Sequence, residues 1–341
     1  VTRREIDPAR PGESAFEGRR SIYWHDVELP AGSGRFAGLT IHVPEDRRPG
    51  LVLESSPSRR LRLSAGDEPL LWARIDAHCG AWVLRRETTA SPSIVPPIRA
   101  REARAHDCIE DWMRFFARRL AASTRSPLRR GTWQLTELRR HDPHDRYEPV
   151  DADGAPLRAT GLFDVLGRSR LSYERYGVVP PYAVVSLRSI DRQSARVKAW
   201  RKHARDGTLP PLLLWDLGGV EVPVLLDGHD RLAAAFAEHI APCVVLLCQW
   251  QAREVEVRAA TREGVEAEYA KAYANEALLS PGARVRLNAQ LSRVHSGATY
   301  RHSVTVARAR PALDALWMRE VAAELVGDDS ELARGMLGAA P

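Results

Sequence analysis

The sequence predicts an α+β fold, on three observations. Residues 20 to 87 alternate short apolar runs with turn-forming clusters. Residues 107 to 123 carry one long amphipathic helical pattern, and residues 181 to 248 read in the order β-α-β-β-α-β. The expected organisation is a β-rich domain over residues 1–150, a linker over 151–177, a mixed α/β domain over 178–255 and a mostly helical extension over 256–341. A length of 341 residues accommodates this, since domains average about 100–200 residues.

The strands of the first region are RSIYWHDVEL, FAGLTIHV, LVLE, RRLRL, PLLWARI and GAWVLRRE. In FAGLTIHV the residues Leu39, Ile41 and Val43 alternate, as a half-buried strand requires, and AGSG, EDRRPG, SSPS and AGDEP supply the turns. These runs predict a small antiparallel sheet of sandwich or barrel type. The proline-rich connector SPSIVPPIRA follows, then a helix with Asp107 as N-cap and Glu110 three residues on, the spacing of a capping box. Ile109, Trp112, Met113, Phe116 and Leu120 share one face of it and read as core, while Arg114, Arg118 and Arg119 read as a solvated face.

The chain from Thr124 to Tyr176 is polar and rich in turns, which places the domain boundary between residues 140 and 175. His141, Asp142, His144 and Asp145 bring metal-ligand types together there, but Pro143 and the lack of i, i+4 spacing favour an exposed loop, and no metal site is expected.

The segment 181–248 carries the chemistry. YAVVSLRSI reads as a strand, DRQSARVKAWRKHARDG as a helix stopped at Gly207, and LPPLLLW and VEVPVLL as two strands. DGHDR turns into the helix RLAAAFAEH, and PCVVLLC returns as a strand. At the DGHDR turn a buried strand ends in Asp227, Gly228 permits close backbone approach, and the first amides of a helix face the same space. That is an anion site in outline, and phosphate is its natural guest. Arg231 is placed to clamp a phosphate, His229 offers a titratable donor, and Asp227 is placed to bind a hydroxyl or a metal-phosphate complex or to act as a base.

The stretch LPPLLLWDLGGVEVPVLLDGHDRLAAAFAEH resembles the ParB/sulfiredoxin fold, over roughly residues 178 to 250. Its DGHxR turn is most similar to the branch that includes free-serine kinases. The resemblance implies a nucleotide-phosphate pocket in which Gly228, His229, Asp230 and Arg231 hold ADP, ATP or CTP with Mg2+. It also implies Asp227, His229 and Asp191 as catalytic candidates, Asp191 standing where the kinases use a glutamate after the first strand. ParB proteins proper have a GERR-type turn, of which this chain keeps the glycine and the last arginine, with Asp230 in place of a basic residue. The sulfiredoxin turn carries a cysteine where His229 stands, so sulfinic-acid reduction is excluded. The function expected is nucleotide or phosphate binding, as a small-molecule kinase or NTPase. The alternatives are a regulatory protein with a degenerate ParB-like domain, or a ParB-related DNA-binding protein.

Composition narrows the partners. The net charge of +6 comes almost wholly from arginine, since Lys198, Lys202 and Lys271 are the only lysines; with abundant alanine, that bias reports GC-rich coding as much as nucleic-acid binding. DNA binding is not favoured: a helix-turn-helix has room between 261 and 295, but no compact basic recognition helix stands out there. The expected partners are a nucleotide and an unidentified small molecule or protein, with self-association open. No apolar run approaches a membrane span, and VTRREIDPARPGES has no apolar segment of the secretory kind, so a cytoplasmic protein is expected. Cys79, Cys108, Cys243 and Cys248 show no CxxC spacing and read as buried thiols.

In the C-terminal third, QAREVEVRAATREGVEAEYAKAYAN reads as a strand and then a helix, with Tyr269 and Tyr273 on one face. RHSVTVARA alternates as a strand. PALDALWMREVAAELV is amphipathic through Leu313, Leu316, Trp317, Val321 and Leu325, and GDDSELARGMLGAAP is expected to fray.

Overall fold

The computed structural model describes residues 3–5, 21–28, 34–44, 47–76, 80–86, 93–137, 170–173, 184–217, 220, 223–254, 259–274, 299–328 and 331–338, with isolated positions between 279 and 291. The fold is mixed α/β, with two mixed sheets. By contact the chain forms two compact units, Val1–Gln249 with Val304–Pro341, and Trp250–Ser303.

In chain order the first unit opens with β1 (Arg3–Glu5), β2 (Tyr23–Glu28) and β3 (Phe36–Val43), and then β4 (Leu51–Ser55), β5 (Arg60–Ala65), β6 (Glu68–Asp76) and β7 (Gly80–Arg85). Two helices follow, α1 (Ala100–Ala103) and α2 (Ile109–Ala122), with β8 (Gly131–Glu137) and β9 (Arg170–Tyr173) after them. The β-α-β-β-α-β segment appears as β10 (Val185–Ser186), α3 (Ala195–Arg205), β11 (Leu212–Trp215), β12 (Val224–Asp227), α4 (His229–Ala237) and β13 (Val244–Glu254). Its first strand is shorter than the alternation in YAVVSLRSI suggests, because two residues of it pair with β12.

The strands expected to form a single N-terminal sheet separate into two. β2 and β3 join β8 antiparallel and continue through β13, β11, β12 and β10, so strands from both sides of the expected domain boundary share one sheet. β4 to β7 form the second sheet, extended by β9, which lies in the segment read as a linker. Side chains from both sheets meet in one core, with Leu39, Ile41 and Trp133 from the first and Leu63, Leu71 and Val83 from the second. Burying one face of each sheet against the other removes more apolar area from water than either achieves separately, which favours this merged core.

α2 packs on β3 and β8 and buries Trp112, Met113, Phe116 and Leu120 as its periodicity demands. Its N-cap is Cys108, one residue beyond the expected Asp107, and no side chain caps it; Glu110 and Asp111 in the first turn complement the helix dipole instead. The arginine face is not a solvated surface throughout. Arg114 pairs with Asp26 at 2.9 Å, and Arg119 pairs with Glu102 and lies 4.9 Å over the Phe115 ring. The far end of α2 is closed by Arg47, whose guanidinium donates to the carbonyls of Leu120, Ala121 and Ser123.

The chain returns from the second unit into the first as β15 (Arg308–Ala309), which pairs with β4, then α6 (Leu313–Glu324) and α7 (Glu331–Leu337). Leu313, Trp317 and Val321 of α6 and Leu332 and Met336 of α7 bury against Trp72 and Leu84 of the second sheet. The tail expected to fray therefore folds, because Leu332, Ala333 and Met336 share a helical face with an apolar sheet surface to cover. Glu320 fixes α6 in place, accepting from Arg62 Nε and Trp72 Nε1 at 2.8 Å each.

The second unit holds the end of β13, α5 (Ala259–Tyr273) and β14 (Thr299–Val304), which pairs with β13. The rings of Tyr269 and Tyr273 stack at 4.3 Å and both hydroxyls donate to Asn288 Oδ1 at 2.9 Å. Most of residues 275–298, where a second helix of a helix-turn-helix would lie, falls outside the described residues, as does the His141–Asp145 cluster. Cys248 is buried, whereas Cys108 and Cys243 are exposed, contrary to the expectation of buried thiols. Among the described residues no helix is long and apolar enough to cross a membrane.

Candidate functional site

β12 runs between β11 (antiparallel) and β10 (parallel) and ends at Asp227. Gly228 then takes φ 108° and ψ 16° as the N-cap of α4. A Cβ at this position would lie 2.6 Å from Leu212 Cδ2 and 3.0 Å from Arg231 Nη2, so the positive φ favours glycine and a side chain would press on both neighbours. The chain thereby passes from strand to helix in one residue, and the first amides of α4 are left without intrahelical acceptors.

The side chains of the turn are more tightly committed than the sequence suggests. Arg231 is 2% exposed and donates from Nη2 both to Asp227 Oδ2 and to Pro211 O at 2.9 Å, with its guanidinium 5.8 Å over the Trp200 ring. Asp230 does not reach toward a ligand: its Oδ2 accepts from Arg188 Nη2 at 2.9 Å and pairs with Arg196 Nε at 3.1 Å. His229 is 7% exposed, and among the described residues its Nε2 has no hydrogen-bond partner. Burial, and then the positive charges of Arg188, Arg231 and Arg85, push its pKa well below the ordinary histidine value. The imidazole is consequently neutral at physiological pH.

Asp227 to Arg231 line a cleft of about 50 Å³ together with Arg188, Arg196 and Trp200. Ile94 and Pro97 of the proline-rich connector also line it, so a segment read as a spacer forms one wall. Asp191 is not among the lining residues. It is exposed and its Oδ1 accepts from Gln193 N at 2.8 Å, shaping the turn that leads to Ser194, the N-cap of α3. Arg188 and Arg196 were missed in the sequence because neither belongs to the DGHDR run. The available signal was position: Arg188 follows the short strand β10, and Arg196 stands in the first turn of α3.

The donor set suits an oxyanion: helix-start amides, a neutral imidazole and arginines at the rim. A nucleotide fits less well. Sites that bury a drug-sized ligand measure about 300–1,000 Å³, so the cleft matches a phosphate group and does not enclose a base and ribose. Mg2+ would seek a carboxylate oxygen, and Asp227 Oδ2 and Asp230 Oδ2 are both engaged by guanidinium groups. Among the described residues no group of three or more His, Cys, Asp or Glu is placed to hold a metal ion. As a base His229 is weakened by its depressed pKa. Comparison of the chain with protein-family models, curated proteins and solved structures finds no match.

Proposed function

We propose that the protein binds a phosphorylated ligand at the start of α4, within a ParB/sulfiredoxin-like unit spanning about residues 178–255, and that this binding is regulatory rather than catalytic. The observation that carries the reading is the buried Nε2 of His229, without a partner among the described residues, in an arginine-lined cleft at a helix N-terminus. A neutral imidazole N–H at Nε2 donates to a phosphate oxygen, the first amides of α4 add theirs, and Arg196, 48% exposed, supplies charge at the rim. The unit to which this reading applies has the strand order β13-β11-β12-β10, with β10 parallel to β12 and β11 parallel to β13.

The phosphate is the recognised group; ADP, ATP and CTP are the ligands that the ParB resemblance implies. The regulatory reading rests on the engagement of Asp227 by Arg231, the depressed pKa of His229 and the place of Asp191 outside the cleft. The test is calorimetric titration and thermal shift with inorganic phosphate, ADP, ATP and CTP, each with and without Mg2+. Binding that Arg196→Ala weakens about tenfold without lowering the melting temperature supports the reading. No binding of any of the four sinks it, and turnover of ATP or CTP replaces the regulatory reading with a catalytic one.

A further inference from the structure

A second and larger cavity, of about 410 Å³, opens where the two sheets meet. β4 and β15 of the second sheet and β8, β11 and β13 of the first all contribute to its lining. Its volume falls within the about 300–1,000 Å³ of small-molecule sites. No sequence motif marks it, because its walls come from segments far apart in the chain.

Five arginines line the cavity, Arg47, Arg48, Arg129, Arg130 and Arg308, and no aspartate or glutamate is among the described lining residues. Arg47 is committed to the end of α2, and Arg129 gives Nη1 to Val306 O at 3.2 Å. Arg47, Arg48, Arg129 and Arg308 have no ion pair among the described residues, in a protein where Arg60, Arg62, Arg114, Arg119 and Arg231 all have one. Burial without a compensating carboxylate lowers the Arg129 pKa from its usual value. Apart from Gln249 and Thr305 the rest of the lining is apolar or aromatic, including Leu51, Leu53, Trp133 and Trp215, with the two indole rings 6.4 Å apart. Trp215 is 5% exposed and among the described residues its Nε1–H has no hydrogen-bond partner, a buried donor that calls for an acceptor.

We propose that this cavity binds a small organic anion with two or more negative charges and an aromatic body. The arginines take the charges, the indoles and leucines take the ring, and Trp215 Nε1 donates one hydrogen bond. Phosphorylated aromatics and aromatic polycarboxylates share this chemistry.

Four probes separate the requirements on the full chain, by calorimetry and by the indole N–H signals in nitrogen-15 spectra. ADP carries phosphate and ring, benzene-1,3,5-tricarboxylate carboxylates and ring, pyrophosphate charge without a ring, and adenosine a ring without charge. The expected result is binding of ADP or the tricarboxylate at least tenfold tighter than either pyrophosphate or adenosine. That ligand shifts the indole signal that Trp215→Phe deletes; whichever of the two binds identifies the source. Arg48→Ala/Arg308→Ala, a pair of exposed side chains, weakens it tenfold or more with an unchanged melting temperature, whereas Arg196→Ala at the other cleft leaves this signal unmoved. The proposal is overturned if neither ADP nor the tricarboxylate moves the Trp215 signal, if adenosine binds as tightly as ADP, or if the double variant binds as the parent does.

Discussion

Arg231 donates from Nη2 to Asp227 Oδ2 at 2.9 Å across one turn, joining the last residue of β12 to the first turn of α4. The same nitrogen bonds Pro211 O beside β11, so the guanidinium ties two strands to the helix that follows them. A residue placed by sequence as the phosphate clamp thus has a structural duty inside the fold, and Arg188 and Arg196 at the rim of the cleft share Asp230.

Removing one member of this pair strands the other in a poorly solvated place. Arg231→Ala and Asp227→Ala are each expected to lower the unfolding free energy by about 3–5 kcal/mol, the second because it leaves the guanidinium of Arg231, 2% exposed, without its carboxylate. Urea denaturation of the two single variants and the double variant measures it. Strictly additive losses would show that the pair is not coupled in solution.

Gly228→Ala places a Cβ against Leu212 and Arg231 at a φ that L side chains rarely adopt. The strain is expected to cost about 1–3 kcal/mol and to weaken phosphate binding by displacing the first amides of α4. A variant as stable as the parent, with the same affinity, contradicts the strand-to-helix geometry described for this turn.

His229 makes stability depend on pH with a definite sign. Its folded pKa lies well below the unfolded value, so the unfolded chain binds a proton first as pH falls through about 6.5 and stability drops below that point. The loss approaches about 1.4 kcal/mol per pH unit until the folded imidazole titrates. Arg188, Arg231 and Arg85 hold the proton off, while Asp227 and Asp230 are neutralised by their own arginines. Melting temperatures from pH 7.5 to 5 should fall more steeply for the parent than for His229→Gln. Parallel curves would mean that the imidazole is solvated and titrates normally.

The C-terminal helix predicts an outcome that fraying does not. Leu332→Ala and Met336→Ala, each buried on the second sheet, should each cost about 2–5 kcal/mol of stability. Values near zero, together with rapid amide exchange over residues 331–337, would show the end of the chain to be undocked.

Much of the architecture is legible in the sequence, and the reasons are local. Alternation at Leu39, Ile41 and Val43 gives β3, the apolar stripe from Trp112 to Leu120 gives α2, and Gly207 marks the end of α3. The DGHDR turn declares itself because an αL glycine between an apolar run and an alanine-rich helix admits few other conformations. What the sequence did not disclose depends on neighbours distant in the chain. Leu332 and Met336 read as a loose tail until Trp72 and Leu84 are known to need covering.

By itself the sequence determined most element types, the order β-α-β-β-α-β and the place of the strand-to-helix turn at Gly228, because backbone propensity and side-chain period act over a few residues. Tertiary structure decided that β3 pairs with β8 rather than with β4, that Asp230 and Arg231 are held by ion pairs, and that five arginines gather around Trp133 and Trp215. Strand pairing and the partners of a buried charge are set by non-local packing, where burial of apolar area chooses among pairings that local propensity leaves equal.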